Sequence, residues 1–103
     1  MNQSMFEIQA EFCKAMGNTV RLHLLHVLRE RPLTVTEICR ETDLSQGTVS
    51  RHLSILRRLG VVSSQKLGNV KVYQIMDHKI IEVCDLVRSV LIEQIQKRSQ
   101  IIE

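Results

Sequence analysis

Leu44-Ser45-Gln46-Gly47-Thr48-Val49-Ser50-Arg51-His52, continuing as Leu53-Ser54-Ile55-Leu56-Arg57-Arg58-Leu59-Gly60, is the stretch whose reading decides the fold. Ser45 is of the type that caps a helix, its side-chain oxygen accepting from a backbone N–H two or three residues on. From there Val49, Leu53, Leu56 and Leu59 recur at steps of four, three and three, a buried stripe. The opposite face carries Gln46, Gly47, Ser50, Arg51, Ser54, Arg57 and Arg58, and Gly60 supplies the stop. The N-terminus of such a helix offers free N–H groups and a positive dipole end, a setting that favours an anion.

Working upstream, Leu44 packs back from a tight turn at Thr42-Asp43. Thr34-Val35-Thr36-Glu37 before it has the capping-box form, in which Thr34 and Glu37 satisfy each other's backbone donors. A short helix with Val35, Ile38 and Cys39 inward is expected there, and with the helix after it makes a helix-turn-helix over about 34–59. Pro32 closes an earlier helix, capped by Asn18 or Thr19 and running to about Arg31. Its Val20, Leu22, Leu24, Leu25, Val27 and Leu28 are apolar nearly all round, which places it at the centre of the core. A first amphipathic helix over 5–16 carries Met5, Ile8, Phe12 and Met16, closed by Gly17-Asn18.

Downstream, 61–67 and 70–76 are β-rich runs joined by Gly68-Asn69, a hairpin expected as a two-stranded wing over about 61–76. Asp77 then caps a long final helix over about 77–99 with Ile80, Ile81, Val83, Cys84, Val87, Val90, Leu91 and Ile95 on a broad apolar face. A chain of 103 residues has too little core to bury both terminal helices, so dimerisation through 5–16 and 77–99 is expected. The fold class is mainly α, an α+β winged helix, in one domain over 1–103.

Composition agrees. Hydrophobic residues make up 44% of the chain and aromatics 3%, a core of Leu, Ile and Val. The net charge of +3 is modest, but its distribution is not even: residues 46–71 hold Arg51, Arg57, Arg58, Lys66 and Lys71 and no Asp or Glu. Three cysteines at unpatterned spacing make no disulfide framework. With no charged-then-apolar leader and no apolar run of transmembrane length, a cytoplasmic location with reduced thiols is expected, and no membrane partner.

In order and in local sequence the chain resembles the ArsR/SmtB family of winged-helix repressors. Met16-Gly17-Asn18-Thr19-Val20-Arg21-Leu22 is similar to the family's L-S-D-P-T-R-L; Leu44 to Val62 is close to S-Q-x-T-V-S-x-H-L-x-x-L-x-x-x-G-L-V; Gly68 to Tyr73 matches G-x-x-x-x-Y. The likeness runs from Phe12 to about Leu91. It implies a homodimeric repressor of a palindromic double-stranded operator. Gln46, Thr48, Ser50 and Arg51 are types that read base edges, and Gly47 leaves room for close approach. Ser45 lies at the cap and His52 is expected to orient or touch the DNA backbone. Arg57, Arg58, Lys66 and Lys71 are expected on phosphates. Any one of these residues taken alone reads by default as part of a solvated basic face; the constellation favours DNA.

The resemblance also implies an effector that releases DNA. The family's zinc pattern D-x-H-x10-H-x-x-E/H falls on Asp77, Lys79, Val90 and Glu93, two carboxylates without the imidazoles that zinc favours; His78 is rotated about 100° from the vacant position. The Cys-x-Cys positions are Thr34 and Thr36, and the dithiol positions fall near His26 and Ile92. Cys13, Cys39 and Cys84 remain. Cys39 reads as a small buried hydrophobe. Cys84 reads the same way or, with Cys13, as a thiol switch responding to an oxidant or to a thiophilic metal or metalloid as cofactor, provided the first and last helices meet. The alternatives are a winged-helix protein-interaction module and a regulator with no small-molecule effector. No phosphate-cradling loop, metalloprotease pair or organised nucleophile is present, so no enzymatic role is expected.

Overall fold

The first helix begins where the chain supplies its own cap. Ser4 Oγ accepts from the Glu7 N–H at 3.2 Å while the Glu7 carboxylate accepts from the Ser4 N–H at 3.1 Å, a capping box opening α1 (Met5–Met16). The computed structural model describes residues 3–102. No residue of α1 is fully buried; Phe12 and Met16 lean on the core, whereas Phe6 is 85% exposed.

Asn18 Oδ1 accepts from the Arg21 N–H and opens α2 (Thr19–Leu28), whose Leu24, Leu25 and Leu28 are buried at the centre of the core. The expectation of apolar burial nearly all round is corrected at Leu22, which is half open to solvent. The helix also ends three residues before the expected Arg31. Pro32 explains this: it has no N–H to donate to Leu28, and it drives Arg31 before it out of the helical region.

The released chain becomes a strand. β1 (Leu33–Thr34) pairs antiparallel with β3 (Val70–Ile75), matching Leu33 with Tyr73, and β3 pairs with β2 (Val62–Leu67) in the order β1-β3-β2. The expected two-stranded wing is therefore the outer part of a three-stranded sheet. Gly68, at φ 62°, turns the β2–β3 hairpin.

Thr34 then caps α3 (Val35–Thr42), with Thr34 Oγ1 accepting from the Glu37 N–H and the Glu37 carboxylate from the Thr34 N–H. Those bonds hold the Glu37 carboxyl below its ordinary value. The turn of the helix-turn-helix is built from Thr42 Oγ1, which donates to the Ile38 carbonyl and accepts from the Leu44 N–H, and from Asp43, left-handed at φ 59°. A short polar residue tolerates that conformation where a branched one would not.

Ser45 caps α4 (Gln46–Arg58), and Val49, Leu53 and Leu56 are fully buried as the stripe required, with Leu59 half-buried. The core joins these to Ile38, Leu33, Val61, Val62, Tyr73, Ile75 and Ile81. In α5 (Lys79–Ile102), Asp77 Oδ1 accepts from the Lys79 N–H, and Ile80, Ile81 and Cys84 dock on the core. Beyond them the described side chains lie open, Val87, Val90 and Leu91 each about half exposed. A fork from Arg29 to Asp85, 2.6 Å at its shorter arm, ties the end of α2 to α5. Among the described residues no helix is long and apolar enough to cross a membrane.

Candidate nucleic-acid interface

Burial of Val49, Leu53 and Leu56 fixes the rotation of α4, and the sequence then dictates what faces out. Gln46, Gly47, Arg51, Ser54, Arg57 and Arg58 are exposed; Thr48, Ser50 and His52 are half-buried at the edge of that face. The Ser45 and Thr48 hydroxyls are bonded to each other at 2.9 Å, and Ser45 Oγ also accepts from the Thr48 N–H. Both residues thus build the helix start, while Gln46 and Arg51 project without a protein partner among the described hydrogen bonds. A Cβ placed on Gly47 would meet no protein atom within 4 Å. The fold does not need glycine there, and its helix cost of about 0.5–1 kcal/mol relative to Ala goes unreturned inside the protein.

The sheet presents the second half of the surface. Lys66 and Lys71 stand directly opposite each other across β2 and β3. Like charges so placed repel, by a few tenths of a kcal/mol to about 1 kcal/mol, unless something outside neutralises them. Lys71 Nζ lies 5.5 Å from the Tyr73 ring centroid, which steers that side chain. Arg57 Nη1 donates to Ser64 Oγ at 3.2 Å and thereby ties the end of α4 to β2. Among the described residues the ion pairs use Arg29, Arg31 and Lys79; Arg51, Arg57, Arg58, Lys66 and Lys71 enter none.

Ser64 was not among the residues expected from sequence, and nothing local marks it; Tyr73 closes the Gly68–Tyr73 motif, but its contact with Lys71 was not expected. Arg21 was also missed as a participant, although a single charge within an apolar helix, inside a motif, was a usable signal. Its Nη1 donates to the Ala15 carbonyl at 2.5 Å. Its Nε and His52 Nδ1 are buried without a hydrogen-bond partner. Burial, with the charges of Arg21 and Arg51, holds the His52 imidazole below its usual value, which favours the neutral ring.

The remaining candidates lie elsewhere. Cys13, exposed, and Cys84, partly buried, both line a groove of about 470 Å³ between α1, α2 and α5, with Phe12, Leu22, His26 and Leu91 among its walls. Burial, and secondarily Asp85, push the Cys84 thiol up. Cys39 is half-buried against the core. Asp77 serves the start of α5, its Oδ2 lying 3.5 Å from Lys79 Nζ, and Glu93 lies far along the same helix on exposed surface.

A family profile described as bacterial regulatory protein, arsR family, matches residues 18–64. The HTH-type transcriptional regulator Rv0081 of Mycobacterium tuberculosis is 30% identical over 103 residues, 99% of this chain and 90% of its own. A crystal structure of Rv0081 superposes with a TM-score of 0.84 at 31% identity, covering 94% of this chain and 98% of the other. An HTH-type transcriptional regulator of Methanocaldococcus jannaschii is 37% identical over 83 residues, 80% of this chain and 93% of its own. The solution structure of a homodimeric winged helix-turn-helix DNA-binding domain from Mycobacterium bovis matches with a TM-score of 0.80 at 26% identity, covering 93% and 94%. With α4 capped by Ser45 and a hairpin bearing Lys66 opposite Lys71, this chain belongs to the ArsR family of winged helix-turn-helix, DNA-binding transcriptional regulators.

Proposed function

We propose that the chain acts as a homodimeric repressor, reading a palindromic double-stranded operator with Gln46, Thr48, Ser50 and Arg51 and holding phosphates with Arg57, Arg58, Lys66 and Lys71. The observation that carries this reading is the set of five cations on α4 and the hairpin that enter no ion pair among the described residues, two of them opposed across the strands. A polyanion relieves that opposition. Gly47 supports it, since the room its missing Cβ leaves lies outside the protein. The exposed apolar residues of α1 and α5 support the dimer, as does the homodimeric relative from Mycobacterium bovis. A two-fold dimer places two recognition helices about one DNA turn apart, which is the reason for a palindrome.

The test is binding to duplexes enriched by the protein from a random-sequence pool, measured by fluorescence anisotropy from about 50 to 200 mM salt. A steep loss of affinity with salt is expected. Lys66→Ala with Lys71→Ala removes four phosphate contacts per dimer and flattens the log–log slope by about 3–4. Arg51→Ala costs about 1–3 kcal/mol against the preferred base and relaxes selection at that position. An empty selection, or affinity indifferent to salt, points instead to a protein-interaction module.

A second element of the reading concerns release. Cys13 and Cys84 line one groove, so a thiol-reactive effector is favoured there: an oxidant that takes two electrons and two protons from the two thiols as their disulfide forms, or a thiophilic metal or metalloid bridging both sulfurs. Diamide is expected to release wild-type protein from the enriched duplex and to leave the Cys13→Ser, Cys84→Ser double variant bound. Release of the double variant at the same diamide concentration would refute the thiol switch.

A further inference from the structure

Among the described residues, two side-chain atoms are buried without a hydrogen-bond partner, and they are chemically complementary. Arg21 Nε carries a hydrogen and can only donate. His52 Nδ1, in a neutral ring, accepts if the proton sits on Nε2. They belong to α2 and α4, helices packed against each other, and Arg21 is close enough to His52 to disfavour its protonation. Arg51 on the same helix is the other charge that acts on the ring; α3 and β2, also packed against α4, contribute none that shifts it. The second ring nitrogen, Nε2, is not sealed in this way.

Orphaned buried polar groups carry a desolvation cost, and a donor on one helix with an acceptor on the helix packed against it have a means of removing it. We propose that Arg21 and His52 are a positioning pair that closes when α4 seats on DNA: Arg21 Nε–H donates to His52 Nδ1, and His52 Nε2–H donates to a backbone phosphate. The two bonds reinforce each other. Donation from Nε2–H to an anion makes Nδ1 a better acceptor, and donation by a guanidinium to Nδ1 makes Nε2–H a better donor. His52 then acts as a neutral, directed donor. The chain of bonds continues inward, because Arg21 Nη1 already holds the Ala15 carbonyl in the last turn of α1. Through it the recognition helix is tied to the helix that carries Cys13 on the groove wall.

The inference rests on the DNA-binding reading, and the experiment separates the two. The wild-type protein and an enriched duplex come first; a failed selection ends the DNA reading itself and with it the pair. Given binding, nitrogen-15 NMR of the imidazole is expected to show His52 in the complex as the neutral Nε2–H tautomer with a bare, hydrogen-bonded Nδ1. Arg21→Met, and Arg21→Lys as the variant that keeps a charge and the fold, remove the Nε–H. Both are expected to mix the tautomers and weaken binding about tenfold, while Arg21→Met also raises the His52 titration midpoint. His52→Asn keeps an acceptor near the inner position, loses the outer donor and weakens binding to a similar extent. The salt slope stays at the wild-type value in each case, because no phosphate-neutralising cation is removed. Arg21→Met combined with His52→Asn is expected to lose no more than either alone. A proton on Nδ1 in the complex, wild-type tautomer and affinity in Arg21→Lys, or additive losses in the double variant would each overturn the pair.

Discussion

Leu53→Ala is expected to lower the free energy of unfolding by about 2–5 kcal/mol. Leu53 is fully buried, on the core side of α4 between Val49 and Leu56, in the cluster that holds Leu24, Leu25 and Leu28 of α2 and Ile38 of α3. Removing its branched end leaves a cavity where helices from both sides of the helix-turn-helix converge, and helices relax poorly around such a gap. A domain of this size has about 5–15 kcal/mol in total, so the loss is a large fraction of it. Urea unfolding followed by circular dichroism at one fixed protein concentration checks this, since any dimer couples stability to concentration. The midpoint should fall while the slope with urea stays constant. Leu59→Ala is the internal comparison: the same chemistry at a half-buried position at the end of the stripe should cost clearly less. Equal losses at the two positions would mean that the core does not centre on α4.

What the sequence made legible is what neighbouring residues decide. The Thr34–Glu37 capping box, the Asn18 and Ser45 caps and the Gly68 turn are contests between a side chain and backbone groups within three residues, and each stands where its residue type placed it. The outward face of α4 was legible for a related reason, since a helical period with one buried stripe leaves little choice about the rest. Apart from the early end of α2 at Pro32 and the Ser45–Thr48 bond, the misses depend on distant partners. Leu33–Thr34 is too short to read as a strand; only β3 lying alongside makes it one. Leu22 looks like core by hydropathy, yet it faces the groove between α1, α2 and α5, a surface made by three separated segments. In the candidate site, the Arg57–Ser64 bond joins residues by a tertiary contact that no local pattern encodes, and the burial of Arg21 Nε and His52 Nδ1 depends on the packing of α2 against α4. The Ser45 hydroxyl could have been assigned to the cap from sequence alone; its bond to Thr48, which makes both hydroxyls part of the helix start, could not.

Val87→Asp is expected to turn the proposed dimer into monomers while leaving each subunit folded. Val83, Val87, Val90 and Leu91 lie at steps of four, three and one along α5 and are each 51–55% exposed in the isolated subunit. Burying such side chains fully contributes about 1.5–3 kcal/mol each, so the stripe, doubled by two-fold symmetry and joined by α1, is ample for a stable interface. A carboxylate in the middle of this apolar stripe must leave water when the subunits pair, a penalty of several kcal/mol. The subunit tolerates the change because α5 docks on the core through Ile80, Ile81 and Cys84, all before position 87. Sedimentation equilibrium should show monomers at micromolar concentration with unchanged helical circular dichroism. Binding to the enriched duplex should weaken by about 100-fold or more, since the two half-sites no longer act as one ligand. The salt slope should fall to roughly half, because a bound monomer neutralises half as many phosphates. A Val87→Asp protein that stays dimeric, or one that binds as tightly and with the same slope as a monomer, would place the assembly surface somewhere other than α5.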